Sequence, residues 1–368
     1  MDLSQIRKDL HRIPEIGFDV FKTKDYLLRL FHAEEKLSVK ELDFNALVMF
    51  YNQGGDESYL LFRADMDALP IPEKSGCNFL STHEKSMHAC GHDIHMTVLI
   101  GLIDRVLQAN LKRNLIFVFQ PGEEGHGGAI KIIESNVLAG YQIKACYALH
   151  VAGHMPVGTV ACKSGIIFGI PQEFDIEFKG VSAHIANPQH GKDALLAGVQ
   201  FYSTMKQLIP QSISPIEPTV FQIGKAEAGV VRNSLADRCL FQGTHRSLTT
   251  KNRDTINSIM TRVADNVAKA HDLQVDVKLL ATFDPVVNNP DLFAKFKDVI
   301  RETDYTFEEC EYTLTGEDFG YFTSYYKGLL FWLGSGDLEN NLHSDKFLPK
   351  SEAIEVGVDV MWRILNKV

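Results

Sequence analysis

Nine residues, Met87-His88-Ala89-Cys90-Gly91-His92-Asp93-Ile94-His95, carry three imidazoles, a thiol and a carboxyl. A thiolate and an imidazole two residues apart, on a turn that glycine permits, can hold a divalent metal ion. The ion in turn favours the ionised thiol. One Cys or one His alone would read as a buried thiol or a surface imidazole. The concentration of donors points to metal. A second segment, Phe119-Gln120-Pro121-Gly122-Glu123-Glu124-Gly125, runs an apolar stretch straight into two adjacent carboxylates. On a tight turn one of them can ligate a metal, and the other can remain a general base for water. An isolated Glu-Glu pair is commonly a solvated loop, but the carboxyl end of a buried parallel strand is where ligands bind.

Three further positions bear on the same chemistry. His150 closes the apolar run Ala145-Cys146-Tyr147-Ala148-Leu149, as a structural cap or as a ligand. His343 lies in the polar stretch Asn340-Asn341-Leu342-His343-Ser344-Asp345, where a surface role is the ordinary one. Arg63-Ala64-Asp65-Met66-Asp67-Ala68-Leu69-Pro70 places two carboxylates just after an apolar run. They can orient a ligand from behind or simply form a turn before proline. Farther along, Gly180-Val181-Ser182-Ala183-His184 puts an imidazole beyond a strand, as an oxyanion donor or a turn residue.

The elements that must position these groups alternate. Helical periodicity runs from Leu3 to about Leu30, broken by Pro14 and Gly17. Apolar runs at Ala46 to Tyr51, Tyr59 to Phe62, Leu115 to Phe119 and Ala145 to His150 read as buried strands. Helices are expected at Asp93 to Gln108 and Gly127 to Asn136. The alternation predicts an α/β unit with a mostly parallel sheet. Near Gly169 the pattern changes to β-α-β-β-α-β: Gln172 to Lys179, a helix to Leu208, Thr219 to Gly224, Arg238 to Thr244, a helix from Lys251 to His271, and Gln274 to Leu280. That order is ferredoxin-like. The expected division is 1–169 with 285–368, and an inserted α+β domain at 170–284.

The chain has 368 residues, long enough for two cores, and its 45% hydrophobic and 23% charged content is that of a globular protein. Its formal net charge of -10 disfavours nucleic acid or an anionic membrane as the main partner. No apolar run reaches membrane-spanning length, and no export signal shows at the charged N-terminus. A cytoplasmic protein with six free thiols is expected.

Taken in this order, the motifs resemble the aminoacylase/carboxypeptidase group of dinuclear metallohydrolases. Within it they are similar to the amidohydrolase branch, which includes hippurate hydrolases, auxin-conjugate hydrolases and N-acetyldiaminopimelate deacetylases. The resemblance covers almost the whole chain. It implies a zinc-peptidase-like α/β domain and a ferredoxin-like lid, with a homodimer through that lid. It implies two divalent ions, zinc or manganese with cobalt or nickel as substitutes, held by Cys90, His92, Glu124, His150 and His343. Cys90 takes the bridging place. Glu123 matches the general base, Asp67 and Asp65 the aspartates that support the centre, and His184 a lid imidazole near the substrate carbonyl. Arg232, Asn233 and Arg246 are candidates to grip a substrate carboxylate. Leu10-His11-Arg12-Ile13-Pro14-Glu15, Tyr147-Ala148-Leu149-His150 and Ile213-Ser214-Pro215-Ile216 are similar to the diaminopimelate-deacetylating members. That likeness implies release of acetate from N-acetyl-L,L-2,6-diaminopimelate, in lysine biosynthesis.

Departures stand at Gly122, where many relatives carry Ala, at His126 and at Val181-Ser182. Rival expectations are a broad N-acyl-amino-acid hydrolase or dipeptidase, a metal-loaded protein that binds such conjugates without turnover, and nucleophilic catalysis by Cys90.

Overall fold

A computed structural model describes residues 1–367. Two compact units emerge: Met1–Ile167 with Val286–Tyr312 and the chain from Asp318 on, and Phe168–Pro285 with Thr313–Glu317. The short return of Thr313–Glu317 to the second unit has no signature in the sequence pattern. The Gly169 N–H donates to Thr313 O at 2.8 Å, and Phe168 bridges Thr313.

The first unit opens with α1 (Leu3–His11) and α2 (Phe21–Phe31), then β1 (Leu37–Glu41), β2 (Leu47–Asn52) and β3 (Ser58–Asp65). There follow α3 (His92–Ala109), β4 (Asn114–Gln120), α4 (Gly128–Glu134), β5 (Gln142–Ala152), β6 (Thr159–Cys162) and β7 (Gly165–Phe168), whose last residue already belongs to the second unit. Asp2 starts α1 by accepting the Gln5 N–H at 3.0 Å, which satisfies an otherwise orphaned donor. β4 is buried from end to end, as a strand covered on both faces must be. The sheet runs β1-β2-β4-β3-β5, and β3 pairs in parallel with both β4 and β5.

The second unit holds β8 (Ile170–Lys179), α5 (Ala194–Ser212), β9 (Val220–Ala228), β10 (Arg238–Ser247), α6 (Thr250–Ala270) and β11 (Gln274–Thr282). Its four strands lie in the order β11-β8-β10-β9, all antiparallel. Phe174, Ile176 and Phe178 alternate inward on β8 and meet Phe201, Met205, Ile256 and Met260 of the two helices. Each such side chain contributes roughly 1.5–3 kcal/mol by leaving water.

The chain then re-enters the first unit with β12 (Val286–Asn288), α7 (Pro290–Arg301), β13 (Thr306–Glu309), α8 (Gly320–Tyr325), β14 (Gly328–Gly334) and α9 (Glu352–Lys367). β14 joins β5 in parallel from Gly328 opposite Cys146 to Gly334 opposite Ala152. The carboxyl ends of β3, β4, β5 and β14 therefore belong to one sheet.

Candidate metal centre

Each of those strand ends delivers a group. β3 finishes at Asp65 and leads to Asp67. β4 finishes at Gln120 and leads to Glu123 and Glu124. His150 lies near the end of β5, and His343 follows β14. Cys90 comes from the loop before α3, and His92 is the first residue of that helix. Gly91 between them has φ +79, and a Cβ there would meet Val151 Cγ2 at 2.5 Å, so the donor loop requires glycine.

The donors converge. Ligand atoms of Cys90, His92 and His150 lie within 4.8 Å of one another, and so do those of Cys90, Glu124 and His343. Cys90 belongs to both sets. Its Sγ is 3.4 Å from His150 Nε2, and His343 Nε2 is 3.4 Å from Glu124 Oε1. His92, Glu123 and Glu124 form a third such set.

Backbone carbonyls fix the imidazoles. His92 Nδ1 donates to Asp67 O at 2.8 Å, and His150 Nδ1 donates to Val151 O at 2.9 Å. Each ring then turns its Nε2 toward the cluster as a lone pair. His92 Nε2 is fully buried and has no hydrogen-bond partner. Burial holds both rings toward the neutral form, which is the form that ligates. His343 sits at φ +67, a strained conformation for a non-glycine residue, and its N–H donates to Ala89 O at 2.9 Å. That bond ties its loop to the Cys90 turn.

The anions are crowded. Burial, then the Glu124 and Glu123 carboxylates, push the Cys90 thiol well above its ordinary range. Burial and Glu124 raise Asp67 as well. A divalent cation removes both penalties, and sulfur, imidazole and carboxylate suit zinc-type ions. The orphaned Nε2, the shared thiol and the surplus of carboxylates fit a pair of metal ions.

His95 stands in the same motif as Cys90 and His92, and the sequence alone assigns it no task. Its Nδ1 donates to Asp65 Oδ1 at 2.6 Å, and its Nε2 accepts the Val151 N–H at 2.9 Å. It links β3 to the residue after His150. Arg63, Gln120 and Asp318 were missed. Arg63 donates to Gln120 Oε1 at 2.8 Å, to Asp65 Oδ2 at 2.7 Å and to Asp318 Oδ1 at 2.7 Å, all buried. The only sequence signal was an Arg and a Gln at strand ends, where apolar residues are expected.

Gly122 has φ +72, and a Cβ there would meet the Phe18 ring at 2.6 Å. The ring of His126 stands edge-on to Phe18, with centroids 5.8 Å apart. Both departures from the common pattern therefore accommodate one aromatic side chain.

The remaining candidates belong to the second unit. His184 is exposed, and its Nδ1 accepts the Ala186 N–H at 3.1 Å. Asn233 O accepts the Ile185 N–H at 3.1 Å, so Asn233 and His184 share one loop pair. Arg232 is exposed beside them. Arg246 sits on β10 opposite Val220, half-buried, and burial lowers its pKa.

The chain is 38% identical over 364 residues to an N-acetyldiaminopimelate deacetylase of Oceanobacillus iheyensis, covering 98% of each. It is 36% identical over 363 residues to the protein of that name from Bacillus subtilis, covering 98% of this chain and 96% of that one. Among solved structures, a dinuclear metal-binding peptidase of the M20 family from Bacillus subtilis superposes with a TM-score of 0.84 at 27% identity, over 100% of this chain and 98% of that one. The expected architecture, a catalytic α/β domain with a separate antiparallel lid, holds. The model of peptidase family M20/M25/M40 matches residues 61–367, from β3 through α9 and across every donor described. By that match the chain belongs to peptidase family M20/M25/M40.

Proposed function

We propose that the chain is a two-metal amidohydrolase that converts N-acetyl-L,L-2,6-diaminopimelate to diaminopimelate and acetate in lysine biosynthesis. One observation carries the chemistry: Cys90 is common to two donor triads, with Glu123 in an overlapping set. The relatives' shared name supports the substrate.

Cys90, His92, Glu124, His150 and His343 would hold two divalent ions, zinc or manganese. When bound, the ions supply Lewis acidity to the acyl oxygen and make water more acidic. Glu123 takes the proton from the attacking water and returns it to the departing amine. Asp67 holds the Glu123–Glu124 turn, because its two carboxylate oxygens accept both backbone N–H groups. Asp65 holds His95. For His184, and for Asn233, Arg232 and Arg246 as carboxylate grips, the family resemblance and their chemistry are the support.

Six cysteines without a disulfide favour a reducing, cytoplasmic location. Among the described residues no helix is long and apolar enough to cross a membrane. Leu196 and Val199 on α5 and Val220 on the edge strand β9 are exposed, which supports a homodimer through the second unit.

The test is a panel of N-acetyl-diaminopimelate, hippurate and simple acetyl-amino acids, assayed with and without a chelator. Preferential, chelator-sensitive turnover of the first compound is expected. Equal turnover of all would leave only a general amidohydrolase. No turnover of any by metal-loaded protein would favour a binding protein instead.

A further inference from the structure

Outside the metal centre, one cluster joins a thiol, an imidazole and two carboxylates. His11 on α1 is buried. Its Nδ1 lies 2.9 Å from Asp93 Oδ2, and its Nε2 lies 3.0 Å from Glu73 Oε1. Cys77 is half-buried, with Sγ 3.7 Å from the same Glu73 oxygen. The ligand atoms of His11, Glu73 and Cys77 lie within 4.8 Å of one another. The Ser75 hydroxyl also donates to Glu73 Oε1. Glu73 Oε1 thus takes both the Cys77 thiol and His11 Nε2, so thiol and imidazole stand side by side across one shared carboxylate, with Asp93 behind the ring.

The chemistry differs from a base-activated nucleophile in one respect. Both His11 nitrogens face carboxylates, so the ring keeps both protons, and its pKa rises to about 11 although burial opposes the charge. An imidazolium cannot accept the thiol proton, but it can stabilise the thiolate beside it, as a fixed cation does.

We propose that Cys77 is a nucleophilic modification site, a thiolate paired with the His11 imidazolium and open to disulfides and other soft electrophiles. With a low-molecular-weight disulfide, the Cys77 sulfur forms a bond to one sulfur of the reagent. The reagent's S–S bond breaks, and its second sulfur leaves as a thiolate that takes a proton from water. No other oxidant is needed.

The groups around Sγ act in both directions. Burial and the Glu73 charge oppose the thiolate, while His11, the Ser75 hydroxyl and the Phe79 N–H favour it, and the balance lowers the thiol pKa. Behind His11 stand Asp93, Arg7 on α1, whose Nε is 3.1 Å from Asp93, and the neutral His88. The other half-buried thiol, Cys310, has its pKa pushed up to about 11 by burial, so the molecule carries its own reference.

The experiment is alkylation of the native, metal-loaded protein with iodoacetamide across a pH series, with each cysteine-bearing peptide quantified by mass spectrometry. Cys77 is expected to react at least tenfold faster than Cys310 at pH 7. Its rate should have a pH midpoint below the ordinary thiol value of ~8.5. Cys77→Ser should abolish the fast phase and leave hydrolysis unchanged. Glu73→Gln, which removes the competing anion and keeps His11, should not slow it. Cys77 reacting no faster than Cys310, or with a midpoint at or above that of a free thiol, overturns the proposal.

Discussion

Asp67 Oδ1 accepts the backbone N–H of Glu123 at 2.9 Å, while its Oδ2 takes that of Glu124 at 3.1 Å. One carboxylate thereby holds the turn that carries two others. Asp67→Ala removes both acceptors, and bonds of this charge-assisted kind contribute about 1.5–3 kcal/mol each. Loosening the turn should lower kcat/KM by a factor of ~10–100. Asp67→Asn, which keeps one oxygen acceptor, should lose less. Steady-state kinetics with metal content measured in parallel would check this. Full activity in the Ala variant would refute the positioning role.

Glu123→Gln preserves shape and removes the base. The expected loss in kcat is roughly 10²–10⁴-fold, the usual scale for general-base catalysis. Metal content and KM should stay near wild type, because Glu124 and not Glu123 is assigned as a ligand. Elemental analysis alongside kinetics decides. If metal is lost together with activity, the two adjacent carboxylates have been assigned the wrong way round.

Arg63 is buried with Asp65 and Asp318 on either side. Arg63→Met leaves both carboxylates without their cation, and breaking a buried pair from one side costs about 3–5 kcal/mol. The loss should appear in urea unfolding of the metal-free protein. The companion change, Arg63→Met with Asp318→Asn, should recover part of it. A double-variant loss equal to the sum of the losses from Arg63→Met and Asp318→Asn made singly would mean that the pair is not coupled.

Stability should also depend on pH through His11. Its pKa is raised from 6.5 to about 11, so its contribution is complete below 6.5 and fades as pH climbs toward 11. Glu73 is lowered from 4.5 to about 2 by its His11 and Ser75 bonds, which outweigh burial; its contribution is complete above 4.5 and fades as pH falls toward 2. Between pH 7 and 10 the unfolding free energy should decline, by at most ~1.4 kcal/mol per pH unit. Urea midpoints measure the slope, and His11→Gln should flatten it. An equally steep slope in the variant would place the titrating group elsewhere.

The candidate residues that the fold gathers were legible because their types are scarce and their motifs compact: Cys90, His92, Glu123 and Glu124 can be found without coordinates. The second unit was legible because β8 alternates and its helices are long. What escaped the sequence is pairing across distance. The strand expected to stop at Phe62 runs on to Asp65, because Arg63 and Asp65 neutralise each other and can stay buried. Apolarity alone marks the end of a strand too early when charges cancel. His95 was visible as a residue and unreadable as a link, since its partners Asp65 and Val151 belong to other strands. The helix expected to end at Leu208, short of Pro210, continues to Ser212 and takes the proline within it.

β14 lies alongside β5, although 175 positions separate Gly328 from Gly153, the residue that follows β5. During synthesis β5 waits for that neighbour, while the second unit emerges in one nearly unbroken stretch and can close first. His343 is made later still. A nascent chain therefore holds only part of its candidate donor set for most of its time on the ribosome, and that set is complete only after the sheet's last central strand has been made.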